Sequence, residues 1–160
     1  MDTAEIQIVG AHVVEDSTLI GSRALLGVVA RSLSEALEVV SLPQFRVLVI
    51  LSSSGPLRMG ALAARAHTVP STFSRSVDRM VMGGWVVRRE SPDSRREVLI
   101  ELSRAGHRLV EDVTKRRFDE ISAILARLSP PDRACVAAAF ALFSEAAGEP
   151  QPEDLLTLGL

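Results

Sequence analysis

The apolar positions of this chain follow helical periods at both ends and a mixed helix-and-strand pattern in the middle. Residues 18–40 place Leu19, Leu26, Leu33 and Val40 seven apart, with Val29 and Leu37 filling the other seam positions. A stripe this narrow and long predicts a helix that packs against another helix. Residues 1–12 show no clear period and read as an arm or a short element. Residues 43–53 are apolar nearly all round (Phe45, Val47, Leu48, Val49, Ile50, Leu51), which predicts a buried helix. Ser41 can cap it with Pro43 in the first turn, and Ser52-Ser53-Ser54-Gly55-Pro56 ends it.

The middle of the chain changes rhythm. Residues 57–59 fit a short strand and residues 60–67 a short alanine-rich helix. Thr68-Val69-Pro70 breaks that helix, because proline disfavours helix at the preceding residue and suits a new start. The next helix runs to about Met82 and buries Phe73, Val77, Met80 and Val81. Its other face carries Ser71, Thr72, Ser74, Arg75, Asp78 and Arg79. Two short helices joined by a tight turn make a helix-turn-helix. Gly83-Gly84 stops the second helix, and two strands follow, at 85–90 and 96–102. In the second strand Val98, Ile100 and Leu102 alternate with Glu97, Leu99 and Glu101. Pro92-Asp93 makes the turn, so the hairpin tip is Ser91-Pro92-Asp93-Ser94-Arg95-Arg96.

Helical periods then return. Ser103 caps a helix to about Leu128 with Phe118, Ile121, Leu125 and Leu128 on one stripe. Ser129-Pro130-Pro131-Asp132 starts a last helix, to about Ala147, with Val136, Phe140, Phe143 and Ala147 aligned. Residues 148–160 read as a tail. The long seams at the two ends supply more apolar stripe than one copy covers, which predicts a helical dimer interface that includes Leu19, Leu125, Leu128, Val136, Phe140 and Phe143. The expected architecture is mainly α with a small β-hairpin wing: a winged helix-turn-helix module flanked by long dimerisation helices. Its expected parts are an arm and dimerisation helix at 1–42, the DNA-binding module at 43–102, dimerisation helices at 103–148, and a tail at 149–160.

Charge sharpens this picture. The net charge of the 160 residues is −2, which alone argues against a DNA binder. Yet residues 58–108 hold ten arginines and five acids, so a basic module sits in an acidic frame. That asymmetry suits a polyanion on one face. Hydrophobic residues make up 47% and aromatics 4%, so the core is aliphatic. The single cysteine, Cys135, permits no disulfide within the chain and reads as a small helix hydrophobe. His12, His67 and His107 are far apart and read as surface or packing residues, so no metal and no cofactor is expected. No GxSxG, HExxH, P-loop or GxGxxG pattern is present, which argues against an enzyme. The N-terminus lacks the basic region of a signal peptide, and no uncharged run is long enough to span a membrane, so a cytoplasmic location is expected.

The run Leu62-Ala63-Ala64-Arg65, then Pro70 to Met80, then Gly84-Trp85-Val86-Val87-Arg88-Arg89, then Ser91 to Gly106, resembles the MarR family of transcriptional regulators. The wing signature followed by Leu102-Ser103-Arg104-Ala105-Gly106 is the specific part. The resemblance implies a homodimer that binds a pseudo-palindromic operator and is released by a small, often phenolic or lipophilic, ligand or by oxidation. On the residues themselves, Ser71, Thr72, Ser74 and Arg75 lead the reading helix, where hydroxyls reach phosphates and base edges and arginine forks onto guanine. Arg79 lies one turn on and has a second option, pairing with Asp78 or a nearby glutamate. Arg89 and Arg96 fit phosphate contacts, and Arg88 a partly structural role. By resemblance, Asp93 orients Arg95, which enters the minor groove. Ligand-pocket residues are implied near 19–33, 43–51 and 109–118. The chain departs from the family in three places. Val69 stands in a helix-starting slot that often holds serine, which weakens the cap unless Thr68 takes over. His67 stands where the family often turns with glycine. The N-terminal cysteine of the peroxide-sensing branch is missing. The rival reading is a winged helix used for protein contacts, or a regulator that has lost ligand sensing.

Overall fold

A computed structural model describes residues 3–68, 70–91 and 94–148, with side chains described for 12–68, 73–91 and 97–148. Among these residues there are seven helices and three strands. They run α1 (Thr3–Leu33), α2 (Ala36–Val39), α3 (Leu42–Ser54), β1 (Leu57–Arg58), α4 (Met59–Arg65), α5 (Pro70–Met82), β2 (Val86–Ser91), β3 (Ser94–Leu102), α6 (Arg104–Leu125) and α7 (Pro130–Ala147).

The core is organised around α3. Its apolar circumference buries Phe45, Val47, Leu48 and Leu51, against Leu62 of α4, Val77 and Met80 of α5, Ile100 of β3, and Val110 and Val113 of α6. Burying one such aliphatic side chain is worth about 1.5–3 kcal/mol, so α3 is held by its neighbours rather than by helix propensity. Its start carries the sequence signal in full. Ser41 Oγ accepts from Gln44 N, and the Ser41 N–H donates to Gln44 Oε1 at 2.8 Å, a reciprocal capping box.

The N-terminal end differs from the expected pattern. α1 already begins at Thr3, where the sequence suggested an arm, and it stops at Leu33, where the sequence suggested continuation to Val40. The break has a local cause. Ser34 Oγ donates to Arg31 O at 2.9 Å and Ser34 N to the same carbonyl at 3.3 Å, which tightens the chain out of the α-helical ladder. The break also divides the sevenfold seam. Leu33 and Val40 lie in the core at 8% and 4% exposure, while Leu19 and Leu26 stand at 59% and 67%. Towards its own core the end of α1 turns Val28, Ser32 and Leu33, because a straight 3.6-residue helix drifts off a strict heptad.

The sheet has the order β1-β3-β2, antiparallel throughout. Opposite residues of an antiparallel pair share a face. Ile100 and Leu102 turn inward as their alternation predicted, and Val86, opposite Leu102, turns inward with them. Val98 was expected with them but is 47% exposed, because it pairs with Glu90 further out along the hairpin, past the core. A register shift at Glu90/Ser91 marks the approach to the tip. α6 ends at Leu125, three residues before the expected limit, in a tight turn through Leu128. α7 starts as predicted, with Ser129 Oγ accepting from Asp132 N, and closes on left-handed Gly148.

Candidate nucleic-acid interface

The reading helix α5 is two-faced. Phe73, Val77 and Met80 are buried at 4% or less, and Val81 is half-buried. Arg75, Asp78 and Arg79 are exposed and Ser74 is half-buried. Arg75 and Arg79 are four apart, so their side chains stack one turn above the other. Neither forms an ion pair among the described residues. Ser71 and Thr72 lie on α5, but their side chains fall outside the described ones. The turn before α5 holds His67 at φ 51, a left-handed position that disfavours a branched or bulky residue. This is the glycine-like slot expected from the sequence. The Thr68 N–H and hydroxyl both turn back to Ala63 O, at 3.1 and 3.4 Å, and finish α4. Val69 lies outside the described residues.

A compact joint ties α5, β2 and α6 together. Gly84 takes φ 75, and a Cβ on Gly83 would sit 2.9 Å from the Trp85 indole. Ser103 Oγ donates to Gly84 O at 2.6 Å and accepts from Gly106 N at 3.0 Å, while Ser103 N donates to Trp85 O at 3.1 Å. A Cβ on Gly106 would lie 2.2 Å from Trp85 O. The Leu-Ser-x-x-Gly motif thus has a physical meaning: serine caps α6 and glycine lets that helix press against the root of the wing.

The wing carries its arginines on both faces. Arg58, Arg89, Glu97, Leu99 and Glu101 share the outer face, where Arg58 pairs with Glu97 at 2.5 Å and Arg89 with Glu101 at 3.1 Å. Arg88, opposite Ile100, comes off the inner face and pairs with Asp78 of α5. Arg65 donates to Ser54 Oγ. The basic module is therefore less bare than its arginine count suggested: Arg58, Arg65, Arg88 and Arg89 are engaged within the chain, and Arg75 and Arg79 stand out from it. The expected phosphate contact at Arg89 sits against an acid of its own sheet, and Arg79 leaves Asp78 to Arg88. Arg95 and Arg96 lie on β3 at the tip end, with side chains outside the described ones. Asp93 lies outside the described residues altogether.

Two hollows stand out among the described residues. One, of about 700 Å³, lies between α3, the α4–α5 turn, α5 and α6, with Phe45, Val47 and Phe73 as apolar wall and Arg46 and Arg117 as charged lining. Its lining includes Leu33, then Pro43, Phe45, Arg46 and Val47, then Arg117, which fall in the three stretches 19–33, 43–51 and 109–118. Arg117 Nε also donates to the buried Ser32 Oγ of α1 at 3.4 Å. The other, of about 400 Å³, is an apolar groove between α1 and α7 lined by Val13, Val14, Leu25, Phe140 and Phe143. Among the described residues no group of three or more His, Cys, Asp or Glu side chains is placed to hold a metal, and no helix is long and apolar enough to cross a membrane.

A helix-turn-helix followed by an antiparallel hairpin, with a basic exposed face on its second helix, defines a winged helix-turn-helix DNA-binding protein. The MarR family pattern matches residues 40–98. The crystal structure of RV1404 from Mycobacterium tuberculosis is similar at 38% identity and TM-score 0.80, over 86% of this chain and 94% of that one. The chain is 32% identical over 94 residues to the HTH-type transcriptional regulator Mb0904 of Mycobacterium bovis, covering 59% of this chain and 66% of that protein. The fold also matches Streptococcus pneumoniae FabT, solved in complex with DNA, at 13% identity and TM-score 0.65, over 86% and 96% of the two chains. The chain belongs to the MarR family of transcriptional regulators.

Proposed function

We propose that this protein is a homodimeric repressor that reads a pseudo-palindromic operator, with α5 in the major groove and Arg95 of the wing in the minor groove. The observation that carries the reading is the exposed Arg75–Arg79 face of α5 beside an arginine-tipped hairpin. Dimerisation is supported by α7. None of its residues is buried, and the large apolar Phe140, Leu142 and Phe143 are 46%, 68% and 57% exposed. Leu19, Ile20 and Leu26 of α1 are as bare. Apolar surface on that scale marks an interaction site, and a second copy that brings α1 and α7 of its own would cover it. Of the seam residues named above, Leu125, Leu128 and Val136 are half-buried within the single chain.

A small ligand with an apolar body, phenolic or lipophilic, fits the 700 Å³ cavity, which lies in the usual size range for such sites. The cavity touches α5 through Phe73 and Ser76 and borders Arg117, which bonds to α1, so its occupant would bias the placing of the reading helix against the dimer helices. A regulator of this kind works in the cytoplasm beside its DNA and needs no catalytic residue.

The rival reading, a winged helix that contacts proteins, draws on the four arginines already engaged within the chain. Mutation separates the two. Arg95→Ala should weaken binding to a duplex selected by the protein from a random pool by about 1–3 kcal/mol and leave the dimer intact. Unchanged affinity in an anisotropy titration would sink the wing assignment.

A further inference from the structure

Asp78 is the anomaly of the reading face. It lies between Arg75 and Arg79 in the exposed row of α5 and carries the wrong sign for approaching a polyanion. It is not bare, because Arg88 Nη2 donates to Asp78 Oδ1. Arg88 stands opposite Ile100, which is buried, so its stem leaves the inner side of the sheet in the direction of α5. Along β2, Val86 is buried, Val87, Arg88, Arg89 and Glu90 are all exposed, and Ser91 is buried again near the tip. Among the described residues, Asp78–Arg88 is the one ion pair that joins α5 to β2. The covalent joint between these elements is Gly83-Gly84-Trp85, with Gly84 in the left-handed region.

We propose that Asp78 is a positioning residue for DNA binding, one that acts through Arg88 to hold the hairpin at a fixed angle to α5, so that helix and wing meet the duplex together. The proposal rests on the reading that the wing touches DNA. A pair about half exposed adds little to stability, so its use lies in geometry. Helix and hairpin otherwise form two binding elements on one joint, and fixing their relation removes an ordering cost from complex formation. Asp78 also cancels the charge of Arg88, which leaves the exposed charge of α5 to Arg75 and Arg79.

The test pits geometry against charge. Anisotropy titrations use the full-length protein with two duplexes of equal length, one selected by the wild-type protein from a random pool and one of random sequence. Positioning predicts that Asp78→Ala weakens the selected duplex about threefold to thirtyfold, within the range for coupled neighbours. Binding to the random duplex should hold or tighten, since one negative charge has gone. Asp78→Glu, which keeps the pair, should restore most of the affinity. Arg95→Ala should cost less in the Asp78→Ala background than in wild type, because a released wing has less to lose. Tighter binding of Asp78→Ala to both duplexes, or equal costs of Arg95→Ala in the two backgrounds, overturns the proposal. An Arg95→Ala without cost in wild type removes the wing reading, and the proposal with it.

Discussion

The winged module and α7 are built from similar apolar residues and handle them in opposite ways. In the module, α3 buries four large side chains, and α5 and the sheet close over it. In α7, two phenylalanines and a leucine face outward and no residue is buried. Both segments are capped as the sequence requires, by Ser41 and Ser129, so local helix signals do not separate them. What separates them is whether this chain supplies the covering surface. On the proposed dimeric reading, α7 with its bare apolar stripe is half of an interface.

That contrast can be broken from either side. Leu48→Ala, at a fully buried position of α3, should cost about 2–5 kcal/mol in urea unfolding, through lost burial and the cavity left behind. A loss below about 1 kcal/mol would mean that the core collapses around the gap more easily than its packing implies. Phe140→Asp should leave the fold of the module intact but weaken association of two copies by roughly a hundredfold, the effect of losing an aromatic anchor. Light scattering that finds a stable dimer in the mutant at low concentration would show that α7 is not the interface.

The smaller effects sharpen the comparison within the module. Gly106→Ala forces a methyl towards Trp85 O and should destabilise by about 1–3 kcal/mol, read as a lower melting temperature. An unshifted transition would mean that α6 can slide off the wing root without penalty. His67→Gly should stabilise by at most about 1.5 kcal/mol. It relieves about 1–2 kcal/mol of left-handed strain and returns about 0.5–1 kcal/mol as added chain entropy. A clear loss of stability would show that the His67 side chain makes a contact worth more than its strain.

The module was legible in the sequence because its signals are local. Ser41 with Pro43 two residues on, glycines after Met82, Ser103 three residues before Gly106, and alternation through Ile100 and Leu102 each specify a bond or a face within a few residues. The break at Ser34 was hidden, since the leucine heptad runs straight across it and only the serine hydroxyl's bond to Arg31 O reveals it. The partners of the basic residues were hidden for another reason. Arg58 and Glu97 are 39 residues apart, and Arg88 meets Asp78 only once the hairpin folds back on α5. An acid within a basic helix face was the one available signal, and it pointed to Arg79 as readily as to Arg88. The cavity beside Arg46 and Arg117 gathers residues from α1, α3, α5 and α6 and has no local signature.

The most direct measurement is the salt dependence of binding to a duplex selected by the protein from a random pool, with a random duplex as competitor. A regulator that reads DNA through α5 and the wing should bind the selected duplex tightly in the presence of competitor. Its affinity should fall as salt rises, with a log–log slope of about −0.9 for each phosphate contacted. Binding that is weak, equal on both duplexes and insensitive to salt would contradict this reading and leave the winged helix as a surface for protein contacts.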